Sequence, residues 1–284
     1  MNDRRLRRPS AVCSVQVGDF KVSYVPDGAM LLKPSGPLPR AVAGPWPPYG
    51  AYLNDTARLV ANTGGLLVQD GPRALLIDAG FGPHSAPEDP GHPYIGTVHG
   101  GSLLDNLAKL GPRPDDIEVV AFTHLHTDHI GWACTVPPIF TRAVFAVPKS
   151  EWENRRQVPG LSAEAAAAVE RRMRLVVPGE EVFPGVRALA LPGHTAGHTG
   201  FSITSRGERL LAFGDALHSP LQVRHPEWFT ASDSDPAQSE RHRRRLIAEL
   251  QQPHTIGFGI HFADVVFGRV VADERREGAD WFPV

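Results

Sequence analysis

An apolar run that ends in a cluster of histidines constrains this chain more than any other feature. Residues 117–123, IEVVAFT, are apolar enough to form a buried strand, and His124, His126, Asp128 and His129 follow at once. Strand side chains alternate, so the first two histidines point the same way, whereas the adjacent Asp128 and His129 point apart. Imidazole and carboxylate are the ligands that zinc-like metals take at catalytic sites. A polar loop with incidental histidines explains four such residues in six positions poorly, so we predict a metal site in which Asp128 and His129 serve a second ion.

Other apolar runs end in the same residue types. His194 follows the run 186–191, Asp215 follows 209–213, and His261 closes 254–261. A single polar residue at a strand end is more often structural, because the backbone can satisfy it. Four strand ends that carry metal-ligand types predict one shared site. Asp78, at the end of LLIDAG, is either a turn residue or an acceptor for a metal-bound histidine.

The order of the elements predicts one α/β domain of two packed sheets flanked by helices. We expect a hairpin at Asp70-Gly71-Pro72 and helices that start at the capping residues Ser102, Ser162 and Asp235. The second of these helices should run through residues 161–176. Further strands are expected at 17–25, 186–191, 209–216 and 254–261. Residues 31–53 are rich in Pro and Gly, so we divide the chain into an N-terminal extension, 1–55, and a hydrolase-like domain, 56–284. The extension is read as a surface loop, a lid or an arm that joins a homodimer.

Composition excludes several classes of protein. The net charge of −2 with mixed signs gives no reason to expect a nucleic-acid partner. No run approaches the roughly 18 to 20 apolar residues of a transmembrane helix, so no membrane partner is expected. The basic start, Arg4 to Arg8, lacks a following apolar run and does not predict a signal peptide. Two distant cysteines make a disulfide framework improbable, which favours a cytoplasmic protein.

The motif HxHxDH at 124–129, HTAGH at 194–198, Gly214-Asp215 and the late His261 together resemble the metallo-β-lactamase superfamily of dinuclear metallohydrolases. The resemblance implies an αββα four-layer sandwich with the site at one edge. It also implies two metal ions: His124, His126 and His194 bind one, Asp128, His129 and His261 bind the other, and Asp215 bridges them. His198 is then expected to support a ligand, while His218 either reaches the pocket or is structural.

Residues 214–228, 232–250 and 259–270 are most similar to the branch that holds N-acyl-homoserine-lactone lactonases and methyl-parathion-hydrolase-like enzymes. Asp215 stands where true β-lactamases carry a cysteine. Members of the branch often have a proline soon after the last histidine, and this chain instead reads HFADVVFG.

Two divalent ions about 3.5 to 4 Å apart can share a water and lower its pKa from about 15.7 towards neutrality. We therefore expect a metal-bridging hydroxide to attack a small lactone or ester, with Asp128 as the catalytic residue that orients it and passes its proton to the leaving group. Zinc is the expected metal, with Mn, Fe and Co as alternatives. A thioester hydrolase or cyclase, a phosphotriester hydrolase and a non-catalytic metal-stabilised regulator remain open. Aromatic residues are candidates for the walls of the substrate pocket, and the sequence places each of them equally well in the core or at an interface: Trp46, Tyr49, Trp132, Trp152, Trp228, Phe229 and Phe262.

Overall fold

The computed structural model describes residues 4–34, 47–273 and 278–284, and within them two β-sheets carry helices on their outer faces. The first sheet contains β1 (Cys13–Val17), β2 (Phe20–Leu32), β3 (Leu59–Asp70), β4 (Arg73–Ile77), β5 (Ser85–Ala86), β6 (Ile95–His99), β7 (Ile117–Ala121), β8 (Val144–Pro148) and β9 (Met173–Val176). The second contains β10 (Glu181–Phe183), β11 (Val186–Ala190), β12 (Thr199–Ser205), β13 (Glu208–Ala212), β14 (Thr255–Phe258), β15 (Phe267–Ala272) and β16 (Ala279–Pro283). The α-helices are α1 (Leu103–Leu110), α2 (Thr127–Ile130), α3 (Lys149–Glu153), α4 (Ala163–Glu170), α5 (Leu221–Arg224) and α6 (Pro236–Leu250).

Strand direction brings the polar strand ends together. The first sheet has the order β5-β6-β2-β3-β4-β7-β8-β9 with β1 beside β2, and the second follows chain order. Strands β4 and β7 are parallel, as are β13 and β14. Parallel neighbours end at the same edge of a sheet, which is where sites of α/β proteins form. Asp78 and Thr123 therefore meet at one edge, and Asp215 and His261 meet at another.

Alternating apolar residues give both sheets two buried faces. Leu66 and Val68 of β3 point between the sheets, where they join Phe201 and Ile203 of β12 in one core cluster. Leu67 points to the opposite face and packs with residues of α1. On the second sheet, the outer face packs against Leu246, Ile247 and Leu250 of α6. Helix, sheet, sheet and helix form four layers, which confirms the predicted αββα sandwich.

Several local predictions are confirmed, among them the cap of α4 by Ser162, which accepts a hydrogen bond from the Ala165 N–H at 3.1 Å, and three are corrected. The hairpin at residues 70–73 forms, and Asp235 caps α6 by accepting a hydrogen bond from the Gln238 N–H at 2.9 Å. The segment 17–25 is two strands, because Gly18 and Asp19 make a turn between β1 and β2. The predicted helix over 161–176 stops at Glu170, and its last residues pair with β8 as the edge strand β9. The third correction concerns α1: Ser102 occupies its N-cap position without a side-chain cap, and Asp27 accepts the Leu103 N–H instead.

Part of the proposed N-terminal extension belongs to the first sheet, since β1 and β2 pair there. Residues 35–46, which carry most of the Pro-rich segment and Trp46, lie outside the described residues. The division at residue 55 and the lid or dimer arm remain predictions. No helix in the described ranges is long and apolar enough to cross a membrane.

Candidate metal centre

Four donor atoms converge where β7, β11 and β13 end. The Nε2 atoms of His124 and His194 lie 2.9 and 3.0 Å from Nδ1 of His126. Oδ2 of Asp215 lies 3.3 Å from His194 Nε2 and 3.8 Å from His124 Nε2. These four side chains are almost completely buried, apart from the partly buried His126. They form the first donor group, and it has three nitrogens and one carboxylate oxygen.

A second donor group lies on the other side of Asp215. Nε2 of His129 is 3.4 Å from Oδ2 of Asp128, and Nε2 of His261 is 3.7 Å from that same oxygen. The second oxygen of Asp215, Oδ1, lies 3.2 Å from His129 Nε2 and 3.0 Å from His261 Nε2. Asp215 thus directs one carboxylate oxygen at each group. The structure brings together all seven residues predicted as metal ligands.

Asp78 and Thr123 orient two of the histidines. Asp78 Oδ2 lies 2.9 Å from His129 Nδ1, and the same carboxylate accepts hydrogen bonds from the Thr123 N–H and hydroxyl. Because the Thr123 hydroxyl donates to Asp78, its oxygen is left to accept from Nδ1 of His124, 3.0 Å away. Both histidines then carry their lone pair on Nε2, facing the donor groups. Asp78 holds the acceptor position that was one of its two predicted roles.

The other two histidines that offer Nε2 are oriented in the same manner. Nδ1 of His194 lies 3.1 Å from Oδ1 of Asp233, and Nδ1 of His261 lies 2.7 Å from the backbone carbonyl oxygen of Asn62. With Nδ1–H donated, Nε2 is again an acceptor. Several lone pairs therefore point at one another across about 3 Å, which requires protons or cations between them.

Unsatisfied atoms show that the donors fit divalent metal ions. His129 Nε2 and Asp215 Oδ1 are buried and make no hydrogen bond with any described part of the chain. Buried polar atoms normally have a partner, so two unsatisfied acceptors 3.2 Å apart fit a cation bound between them. Imidazole with carboxylate is a donor set suited to zinc, manganese, iron or cobalt. The first group can hold one ion and the second group another, with Asp215 shared.

The environment lowers the pKa of His124 and His126 in the first group and raises the pKa of His129 and His261 in the second. Burial lowers the pKa of His126 to about 3 and that of His124 well below its usual value, so both are neutral ligands at pH 7. Burial also opposes protonation of His129 and His261. There, however, Asp215 and the neighbouring carboxylate of Asp128 outweigh it and raise the pKa of both rings. In turn, the rings of His261 and His129 lower the pKa of Asp215 against the effect of its burial. The second group thus attracts positive charge.

Glu151 joins the two loops that carry the three histidines of the first group. Its buried carboxylate accepts hydrogen bonds from the N–H of Leu125, the hydroxyl of Thr195 and the N–H of Gly197. Burial raises its pKa, which these hydrogen bonds partly offset. Leu125 lies between His124 and His126, and Thr195 follows His194. One side chain of α3 therefore fixes the loops relative to each other.

His198 and His218 both contact Asp215 without belonging to either donor group. Nε2 of His198 accepts the backbone N–H of Asp215 at 3.0 Å, and its Nδ1 donates to the carbonyl of Leu191. His198 therefore holds the backbone of Asp215, one of the predicted ligands. His218 Nε2 lies 3.1 Å from Asp215 Oδ2, and the ring faces the cavity above the donors. Of the two roles left open for His218, the structure places it at the pocket.

A cavity of about 380 Å³ opens over the donor atoms of His126, Asp128, Asp215 and His261. One wall is mainly apolar and comes from β2, Tyr94 and the start of β6. The opposite wall is mainly polar and comes from the loops after α3 and before α6. The two walls contain Met30, Leu32, Tyr94, Ile95, Asn154, Gln157, Val158, Thr230, Ser232 and Ser234. Of the placements left open for the candidate aromatic residues, the structure supports the core and not the pocket among the described residues. Trp132, Trp152, Trp228 and Phe262 are core residues, and neither Tyr49 nor Phe229 lines this cavity.

Sequence reasoning missed Glu151, Asp233 and Asn62. Each acts through a contact between segments far apart in the chain, so no local pattern indicates its role. The signal available for Asp233 was its position in SDSDP, just before a helix cap, and that signal is equally typical of a surface turn.

Comparison with known proteins places the chain among metallohydrolases. The family model described as the metallo-beta-lactamase superfamily matches residues 65–254. An N-acyl homoserine lactonase from Bacillus sp is 27% identical over 235 residues, which cover 77% of this chain and 83% of that protein.

Among solved structures, AidC, described as a dizinc quorum-quenching lactonase in complex with a product, superposes with a TM-score of 0.81 at 20% identity, covering 98% of both chains. A probable metal-dependent hydrolase from Staphylococcus aureus superposes with a TM-score of 0.80 at 23% identity, covering 95% of this chain and 99% of the other. The match to the family model spans well over half of the sequence and includes six of the seven converging donors. The chain belongs to the metallo-beta-lactamase superfamily.

Proposed function

We propose that the chain is a metal-dependent hydrolase that holds two divalent ions, with zinc expected, and opens lactones or closely related esters. One observation carries the proposal: Asp215 directs Oδ1 at one group of donors and Oδ2 at another, beneath a cavity large enough for a small molecule. The relatives support the substrate class, since the similar proteins include N-acyl homoserine lactonases and a dizinc lactonase with its product.

Divalent ions bound by the two donor groups would provide a water of lowered pKa and a Lewis acid for the substrate carbonyl. The chain's own residues supply the remaining steps. Asp128 lines the cavity and directs Oδ2 at the second donor group, so we assign its other carboxylate oxygen to proton transfer from the attacking water to the leaving alcohol. The apolar wall that contains Met30, Leu32 and Ile95 excludes water from one side of the substrate.

The test begins with metal analysis and continues with a substrate panel. Gently purified protein should contain near two equivalents of zinc, manganese, iron or cobalt per chain. The metal-loaded protein should open N-acyl-homoserine lactones faster than it hydrolyses phosphotriesters or acyl thioesters of similar size. Turnover of thioesters alone, or of phosphotriesters alone, would replace the lactone with that substrate. A protein that takes up no metal from a zinc-containing buffer would refute the proposal as a whole.

A further inference from the structure

The structure contains a buried guanidinium that contacts the supports of the metal centre. Arg243 lies on α6 and is fully buried, an environment in which an arginine is rare unless its charge and its donors are all met. Its Nε donates to the carbonyl of Ala216 at 2.9 Å, and one Nη donates to the carbonyls of Pro226 and Trp228. The other Nη lies 3.3 Å from Oδ2 of Asp233. One side chain thus connects α6 to the whole segment from residue 216 to residue 233.

Two of these contacts lead directly to donors of the first group. Asp233 holds Nδ1 of His194 with its other oxygen, so the contacts run from Arg243 through Asp233 to the His194 ring. Ala216 directly follows Asp215, and it ends the short turn, Gly214–Ala216, that presents the shared carboxylate. The second donor group has different supports, Asp78 and the Asn62 carbonyl, which Arg243 does not contact among the described residues.

The need for a cation at this point follows from burial. Asp233 has a fully buried side chain whose partners are the Thr230 N–H, His194 and Arg243. An ionised carboxylate in this environment is costly unless it is paired and hydrogen-bonded. Without the guanidinium the carboxylate would lose the partner that holds it against the ring, and His194 would lose the acceptor that fixes its tautomer.

We propose that Arg243 is a positioning residue for the metal centre, which holds Asp233 against His194 and supports the turn of Asp215, so that the first donor group is preformed for a divalent ion. This inference rests on the metal pair of the proposed function. It assigns the fully buried arginine a role in metal affinity that acts mainly on the ion of the first group, because Asp233 holds a histidine of that group alone whereas Asp215 is shared.

The test measures zinc affinity by competition with a chelator in wild-type protein, Arg243→Lys and Asp233→Asn. Lysine keeps the charge but cannot make the four hydrogen bonds of the guanidinium fork. In each variant we expect one of the two zinc affinities to fall by about 10- to 100-fold, the size typical for loss of a partner behind a metal ligand, and the other to change by less than about threefold. Since Arg243 and Asp233 act in one chain of contacts, the double variant should be little worse than the single ones.

Arg244→Met is the matched control, because Arg244 is the next residue on α6 and its exposed side chain pairs with Glu240. It should leave both affinities unchanged. Cobalt-loaded protein gives a second readout: the visible absorption spectrum should change in Arg243→Lys and not in Arg244→Met.

The outcomes separate this inference from the proposed function. Arg243→Lys with both zinc affinities near wild type, even with a lower melting temperature, would show that Arg243 only packs α6 and would overturn the inference alone. Equal weakening of both ions would likewise contradict the selective role. A wild-type protein without zinc affinity would overturn the proposed function first.

Discussion

Asp128 belongs to the second donor group and lines the cavity, and unlike His261 it carries a second carboxylate oxygen that can take a proton. An asparagine at this position keeps an oxygen donor of similar shape but cannot accept a proton. We expect Asp128→Asn to retain most of its metal and to lose about 10²- to 10⁴-fold in kcat on a lactone, the usual size for a lost general base. Metal content and steady-state kinetics check this, with exposed Asp105→Asn as the control. An unimpaired kcat would remove Asp128 from the proton transfer.

At the scale of single residues, the donors and the supports Asp78 and His198 could be predicted, whereas the supports from distant segments could not. His124, His126 and His194 each follow an apolar run, so their type and position indicate a strand-end site without knowledge of the fold. Asp233 contacts His194 from 39 positions further along the chain, and Arg243 contacts Asp233 from a helix face that otherwise resembles a solvated arginine run. Such contacts depend on how layers meet, which no short stretch of sequence reveals.

The approach of α3 to the loop after β11 is the element-scale contact that fixes the first donor group. A Cβ on Gly197 would lie 1.9 Å from the Glu151 nitrogen and 2.3 Å from its Cα, so an alanine there must push the two elements apart. We expect Gly197→Ala to destabilise the fold by about 1 to 3 kcal/mol, the range for overpacked sites, and to weaken zinc binding. Thermal melting and zinc titration test both. Gly50→Ala is the control, because no described atom lies within 4 Å of its Cβ position. A melting temperature and zinc affinity equal to those of wild type would contradict the contact.

Element types were predictable where pattern and capping agree, as for α6 with Asp235 at its N-cap. The prediction failed after α4 because a run of good helix formers ends beside β8, and pairing of Met173 with Phe145 stabilises a strand there. Tertiary pairing outweighs intrinsic propensity at such an edge. For α1, the cap came from Asp27, which lies 76 positions before Leu103 and could not be recognised from local sequence.

At the scale of the whole molecule, the centre joins elements from both sheets. Residues 124–129 follow a strand of the first sheet, whereas His194, Asp215 and His261 follow strands of the second. The residues alone indicated two packed sheets, but which strands are neighbours depends on the crossover from β13 to β14 through α6. Because the donors are close only in the folded chain, bound ions should stabilise the fold itself.

Removal of the metal should therefore lower stability, and the loss should grow with pH. An ion present at 1,000 times its Kd adds about 4 kcal/mol per site when it binds only the folded state. Without metal, protons on His129 and His261 replace part of that stabilisation, because Asp215 and Asp128 raise the pKa of both rings against their burial. A raised pKa gives stability that is present below the unfolded value of about 6.5 and is lost as pH rises through the folded value. The pKa values of His124 and His126 are lowered in the fold, so both rings are neutral there above about pH 6.5 with or without metal. Their protons in the unfolded state are common to the two forms, so they contribute nothing to the pH dependence of the difference.

The difference in melting temperature between zinc-loaded and chelator-treated protein should thus widen between pH 6.5 and 8.5. Thermal unfolding of the two forms at several pH values measures it, and the melting temperature of the chelator-treated protein alone is the reference for proton effects elsewhere in the chain. A difference that stays constant across this window would show that the two histidines carry no extra proton in the metal-free fold. A difference near zero at every pH would show that the seven donors bind no metal that contributes to folding.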